Sequence, residues 1–63
     1  MYSDVEMTYK TEDSFKYIAR SFNSVEYEKN KGVSLGKDFF VSEDKILQLK
    51  INGIEFVNYD DSF

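Results

Sequence analysis

Apolar and polar residues alternate along the first ten positions of the chain. The stretch YSDVEMTYK sets Val5, Met7 and Tyr9 between polar side chains. A period of two is typical of a β-strand with one buried and one solvated face. The pattern predicts an amino-terminal strand.

The next apolar residues recur at helical spacing. Five of them in TEDSFKYIARSFNSV fall on one face of a helical wheel: Phe15, Ile18, Ala19, Phe22 and Val25. Thr11 is a suitable N-cap, and Glu12 and Asp13 lie where the helix dipole favours negative charge. The spacing predicts an α-helix that begins after Thr11.

Two alternating runs in KILQLKINGIEFVNY are joined by the dipeptide Asn52-Gly53. Asn-Gly favours a two-residue type I′ turn, so the segment predicts a β-hairpin. That turn sets three pairs of residues opposite each other: Ile51 with Ile54, Lys50 with Glu55, and Leu49 with Phe56. Leu49 and Phe56 are then expected in the core.

Shorter strand-like segments, VEYEK, VSL and FFV, lie between the helical pattern and the hairpin, and KNKG supplies turn residues. Together the elements predict a single α+β domain over residues 1–63. Its expected form is an antiparallel sheet of three to five strands with one helix packed on one face, in the order β-α-β-β-β. The other face of the sheet is then open to solvent or to a partner.

Phe39 and Phe40 are adjacent, and neighbouring side chains of a strand point to opposite faces. One core therefore cannot take both rings. Val41 shares its side with Phe39, whereas Phe40 shares its side with Asp38 and Ser42. Alternation predicts that Phe40 is the exposed ring.

The charge balance narrows the function classes. Twelve acidic and eight basic residues give a net charge of -4, the wrong sign for direct binding to nucleic acid or an anionic membrane. No apolar run reaches the roughly 18 residues of a membrane span, and the first residues lack the order of a secretory signal. A cytoplasmic protein is expected.

Histidine and cysteine are absent, which removes the side chains that most often serve as general base, thiolate nucleophile or soft metal ligand. The neighbouring acids Glu43-Asp44 and Asp60-Asp61 lie in polar turn or tail contexts that favour two ionised carboxylates. No enzymatic activity, cofactor or metal is predicted.

Two pairs of acids have strand spacing: Asp4 with Glu6, and Glu26 with Glu28. Two strand residues span about 6.8 Å, so each pair forms an evenly spaced row of charge. If the two rows adjoin, they imitate a nucleic-acid backbone. The alternative is that these acids keep a small protein soluble.

Exposed aromatic side chains are typical of protein-binding hot spots. Tyr17 lies opposite the apolar stripe of the predicted helix, so it is expected to face solvent. The predicted partner-binding residues are therefore Asp4, Glu6, Tyr17, Glu26, Glu28, Phe39 and Phe40.

YEKNKGVSLGKDFFV, followed by EDKILQLKI, resembles the central and final segments of the small phage-encoded inhibitors of uracil-DNA glycosylase. The shared order is an acidic strand with a tyrosine, Lys-Gly, an aliphatic-Ser-Leu step, Asp-Phe, and a strand of alternating aliphatic and basic residues. The matching positions are Tyr27, Glu28, Lys31, Gly32, Ser34, Leu35, Asp38 and Phe39. The resemblance covers less than half of the chain, and the family helix lies where this sequence has SLGKDFF.

The resemblance implies a dimeric acidic protein that imitates DNA and inserts a phenylalanine into a hydrophobic pocket. Phe39 would take that role, whereas alternation favours Phe40, so both remain candidates. The expected function is a small inhibitor, phage-encoded, that occupies the nucleic-acid-binding cleft of a host protein in the host cytoplasm, for example a repair glycosylase or a defence nuclease. Frequent Asn, Ile, Phe and Tyr, with lysine at all but one basic position, are typical of AT-rich coding in low-GC bacteria and their phages. The alternative is a non-catalytic structural or assembly module that self-associates, as in a homodimer.

Overall fold

The computed structural model describes residues 2–58, which form two antiparallel β-sheets. The strands are β1 (Ser3–Lys10), β2 (Phe15–Phe22), β3 (Val25–Glu28), β4 (Gly32–Leu35), β5 (Phe39–Ser42), β6 (Ile46–Ile51) and β7 (Ile54–Asn58). A four-stranded sheet has the order β2-β1-β6-β7, and a three-stranded sheet has the order β3-β4-β5. A single 3₁₀ turn, Glu43–Lys45, leads into β6. The predicted acidic tail at Asp60-Asp61 lies outside the described residues.

The predicted α+β fold is wrong, because the segment expected to be a helix is strand β2. It pairs with β1 along its whole length, from Lys10 opposite Phe15 to Ser3 opposite Phe22. Thr11 caps no helix and closes this hairpin instead. Its backbone N–H donates to the carbonyl oxygen of Ser14 at 2.7 Å, and its hydroxyl oxygen accepts from the Ser14 N–H at 3.1 Å.

The apolar spacing of β2 fits a helix and a strand equally well. Residues four apart share a face in both structures, because four is a multiple of two and close to 3.6. Ile18 and Phe22 lie on the core side of β2, where Ile18 is opposite Met7. Phe15 and Ala19 lie on the other side and are exposed. Aromatic and β-branched residues favour the strand once β1 offers a partner.

The core lies between the two sheets. Its buried members come from both: Val5, Met7, Ile46 and Leu49 from the four-stranded sheet, and Val33, Leu35 and Val41 from the three-stranded sheet. The alternation predicted for β1 is confirmed, because Val5 and Met7 are buried while Asp4 and Glu6 are not. Each sheet therefore has one face on the core and one outer face.

The predicted Asn-Gly hairpin is present between β6 and β7. Asn52 and Gly53 have φ of 53° and 82°, as a type I′ turn requires. The pairs Ile51–Ile54 and Lys50–Glu55 are confirmed. The turn is also tied to β1, because Asn52 and Asp4 exchange two hydrogen bonds of 2.8 and 2.9 Å.

The expected pairing of Leu49 with Phe56 is wrong. The register shifts by one residue between Leu49 and Lys50. Leu49 therefore lies opposite Val57, and Phe56 is the extra residue of a β-bulge. Phe56 is 45% exposed and outside the core, whereas Leu49 is fully buried. The Phe56 ring instead meets the ring of Tyr27 edge to face at 5.5 Å, which links the two sheets.

Candidate protein-binding site

The outer face of the three-stranded sheet carries a groove of about 550 Å³. We call it the acidic groove. It is lined by Glu26, Tyr27, Glu28, Lys31, Gly32, Ser34 and Phe40. Strand register positions these side chains: Glu26, Ser34 and Phe40 form one row across the sheet, and Glu28 is opposite Gly32 in the next. The intervening residues of β4 and β5, such as Val33 and Val41, point into the core.

Phe40 is the exposed phenylalanine, as alternation predicted. Its side chain is 53% exposed. Phe39 is half-buried against the core, where its ring meets that of Tyr9 at 5.9 Å in a T-shaped contact. Phe40 is therefore the more exposed of the two rings. The anchor role that the family resemblance implied for Phe39 stays a prediction.

Gly32 makes room for the Phe40 ring. A β-carbon on Gly32 would lie 2.8 Å from Cζ of Phe40 and would collide with the carbonyl oxygen of Val41. Gly32 also has φ of 145°, which side-chain-bearing residues rarely adopt. The ring therefore reaches from β5 over β4 towards Glu28. Covering a strand glycine with a neighbouring aromatic ring is a known stabilising device in sheets. The sequence offered only a turn reading for Gly32, so this contact was missed.

The groove has two carboxylates without partners. Within residues 2–58, neither the Glu26 nor the Glu28 carboxylate has a hydrogen bond or an ion pair, and both residues are exposed. Lys31, in the turn between β3 and β4, provides the one positive charge of the lining. Carboxylates beside an aromatic ring suit a guanidinium or ammonium group, which forms ion pairs with the acids and is attracted by the ring face. The arrangement is therefore suited to binding a positively charged side chain.

Tyr27, which lines the acidic groove, is held in place by a hydrogen bond to Glu43. Its hydroxyl donates to Oε1 of Glu43 at 2.7 Å. Burial chiefly, together with this hydrogen bond and the charge of Glu43, raises the pKa of Tyr27 to about 12. The bond connects β3 to the 3₁₀ turn before β6. Glu43 is therefore the hydrogen-bond acceptor that links this turn to β3.

Asp4, Glu6 and Tyr17 lie on the outer face of the other sheet. Asp4 accepts a hydrogen bond of 2.5 Å from the Ser21 hydroxyl. Glu6 is opposite Lys50 on β6. Tyr17 is 61% exposed; its predicted exposure is confirmed, although it lies on a strand and not on a helix.

The two acidic pairs do not adjoin. Asp4 and Glu6 belong to β1, and Glu26 and Glu28 belong to β3 in the opposite sheet. Because both sheets turn one face to a shared core, their outer faces point away from each other. The expectation of one continuous acidic row is wrong. The structure instead joins one pair, Glu26 and Glu28, to the exposed Phe40.

No protein family matches the chain, and no curated protein or solved structure is similar to it. The segment where the inhibitor family has its helix, residues 34–40, forms the end of β4, a loop and the start of β5. The resemblance to uracil-DNA glycosylase inhibitors stays a prediction.

Among residues 2–58, no helix has the length and apolar character that crossing a membrane requires. No three Asp or Glu side chains in that range are grouped so that they hold a metal ion. The acidic groove is the candidate site in which two carboxylates and an exposed aromatic ring lie together.

Proposed function

We propose that this protein is a non-enzymatic inhibitor that binds a basic, nucleic-acid-binding surface of another protein through the acidic groove. The observation that carries the proposal is that Glu26, Glu28 and the exposed Phe40 share one outward face. The two carboxylates take the place of phosphate groups, and the ring supplies an anchor of the kind that dominates binding energy at interfaces.

The charge of the chain supports a protein partner over nucleic acid itself. A net charge of -4 repels phosphate backbones and attracts the basic clefts that bind them. A phage-encoded protein of this kind would act on a host DNA-repair or defence protein in the host cytoplasm. Association would be fast at low salt and would weaken as ionic strength rises.

The two acidic pairs provide a matched test. The double variant Glu26→Gln/Glu28→Gln removes the charges of the groove, and Asp4→Asn/Glu6→Gln removes the same number from the opposite sheet. Wild-type protein is immobilised and used to capture proteins from a lysate of a low-GC bacterium at low salt. The captured protein is then purified, and its affinity for wild type and both variants is measured against salt concentration.

We expect the groove variant to lose most of its association rate and the control variant to keep it. Wild-type protein should also displace a DNA or RNA oligonucleotide from the captured protein. Equal affinities of the two variants would remove the groove from the interface. Simultaneous binding of nucleic acid and this protein to the captured protein would contradict inhibition by occupancy.

A further inference from the structure

Strand β2 is an unusually long free edge for so small a sheet. It has eight residues and pairs with β1 without a bulge, and no strand formed by residues 2–58 lies on its other side. The other edges are weaker templates, because β3 and β5 have four residues each and β7 is bulged at Phe56. A long, regular edge presents a row of backbone donors and acceptors to another strand.

The side chains of β2 explain which strand fits this edge. Phe15 and Tyr17 lie on its outer side, and each is 61% exposed. Lys16 and Arg20 lie on the other side, where Arg20 stacks over the Phe22 ring at 5.2 Å. Neighbouring exposed aromatics on a free edge leave apolar area uncovered in the monomer, and a second edge strand would cover it.

We propose that β2 pairs in antiparallel fashion with β2 of a second copy of this chain, with Tyr17 opposite the partner's Tyr17. A two-fold axis then passes through this pair and joins two four-stranded sheets into one of eight strands. Phe15 lies opposite the partner's Ala19, so the aromatic rings of both copies form one continuous patch on the outer face. Because each copy uses its one long edge, the assembly closes as a dimer.

Charge selects this register among its neighbours. Like charges directly opposite each other destabilise a strand pair. Shifting the pairing by one step to an axis at Ile18 would set Lys16 opposite the partner's Arg20. Axes at Lys16 or at Arg20 would set each of these residues opposite its own copy. The register centred on Tyr17 places Lys16 opposite the partner's Ile18 instead.

An alternative pairing register, with its two-fold axis at Ala19, also avoids a like-charge pair. It would set Tyr17 opposite the partner's Ser21 and leave Phe15 beyond the end of the paired strand. The exposed aromatics of the two copies would then stay apart. In the Tyr17 register, the Phe15 and Tyr17 rings of the two copies lie side by side and cover part of each other's apolar area.

This interface goes beyond the proposed inhibition and does not depend on it. The acidic groove lies on the other sheet, so a β2 dimer leaves both grooves open. Dimerisation is measured on the purified chain alone. A monomeric result would therefore not affect the binding experiment on the groove variants. Failure of that binding experiment would likewise not affect the dimer proposal.

Cysteine cross-linking tests the register, because the chain has no cysteine of its own. Facing residues in an antiparallel pair have Cα atoms about 4.5–5.5 Å apart, within disulfide reach. We expect Tyr17→Cys to form a covalent dimer on mild oxidation. Ala19→Cys should not, because the two copies of residue 19 would be about 13 Å apart along the strands. Cross-linking of Ala19→Cys alone would overturn the register, and Ile54→Cys on β7 is the control for random collision.

Sedimentation equilibrium of the unmodified chain tests the dimer itself. We expect wild type to reach twice its mass of 7.4 kDa. Tyr17→Lys should raise the dissociation constant on the order of tenfold, because it sets two lysines face to face. Ile54→Lys, a change at a comparably exposed residue on the opposite edge, should leave the constant unchanged. A wild-type chain that stays monomeric up to about 1 mM would overturn the proposal, as would equal effects of the two lysine variants.

Discussion

The ring of Phe40 lies over Gly32 on the neighbouring strand, where a β-carbon would be 2.8 Å from Cζ. One glycine thus sets the shape of the acidic groove, because any side chain there would push the ring away from β4. The same contact gives Phe40 a share in stability besides its proposed role as an anchor. Stability and binding at this position therefore have to be measured separately.

Replacing Gly32 by alanine should destabilise the fold more than the same change at Gly36. Both glycines have positive φ, 145° and 70°, which costs a residue with a β-carbon about 1–3 kcal/mol. Only at Gly32 does the new methyl group also meet the Val41 carbonyl and the Phe40 ring, which adds roughly 1–3 kcal/mol. Urea denaturation of both variants measures the difference. Equal losses would mean that the sheet relaxes around the methyl group at no cost.

Alanine at Phe39 should mainly weaken folding, whereas alanine at Phe40 should mainly weaken binding. Phe39→Ala removes a ring packed on Tyr9 and the core, at a cost of roughly 3 kcal/mol. Phe40→Ala should cost about 1 kcal/mol, mainly the cover of Gly32, while weakening capture of the partner strongly. Thermal melts and partner affinity are measured on the same samples. If the Phe40→Ala variant binds the partner with full affinity, the ring contributes only to stability, by covering Gly32.

Leu49→Ala and Phe56→Ala should separate a core residue from a bulge residue. Leu49 is fully buried, so its truncation should cost about 2–5 kcal/mol and largely unfold a domain with roughly 3–5 kcal/mol of stability. Phe56 is half-exposed and contacts Tyr27 by an edge-to-face pair worth about 0.5–1.5 kcal/mol. Thermal melts followed by circular dichroism show which of the two variants loses more stability. A larger loss at Phe56 would indicate a hairpin without the bulge.

Tyr27 should make stability fall at high pH. The fold holds its pKa at about 12, above the ordinary value of 10.0, so the folded state prefers the neutral hydroxyl. This contribution is complete below pH 10 and is lost as pH rises through about 12. Ultraviolet titration of tyrosinate should show one late ionisation that is absent in Tyr27→Phe. The stability difference between wild type and that variant should shrink over the same interval, and a difference independent of pH would contradict the assignment.

Local pattern alone determined three features of this protein. Strict alternation identified β1 and placed Val5 and Met7 in the core. The dipeptide Asn52-Gly53 positioned the last hairpin, because few residues tolerate the positive φ of a type I′ turn. Alternation through Val41 separated the half-buried Phe39 from the exposed Phe40. Each feature depends on residues close together in sequence.

Tertiary structure decided what the local pattern left open. The spacing of Ile18 and Phe22 fits a helix and a strand, and only pairing with the apolar row of β1 selects the strand. The bulge at Phe56 follows from Val57 taking the place opposite Leu49, a choice that depends on packing between sheets. The sequence also contains no local signal that the two acidic pairs lie on different sheets, since β1 and β3 have the same alternating pattern. Which of two equally patterned strands share a sheet is set by contacts between residues far apart in sequence, and those contacts join Glu26 and Glu28, without Asp4 and Glu6, to Phe40.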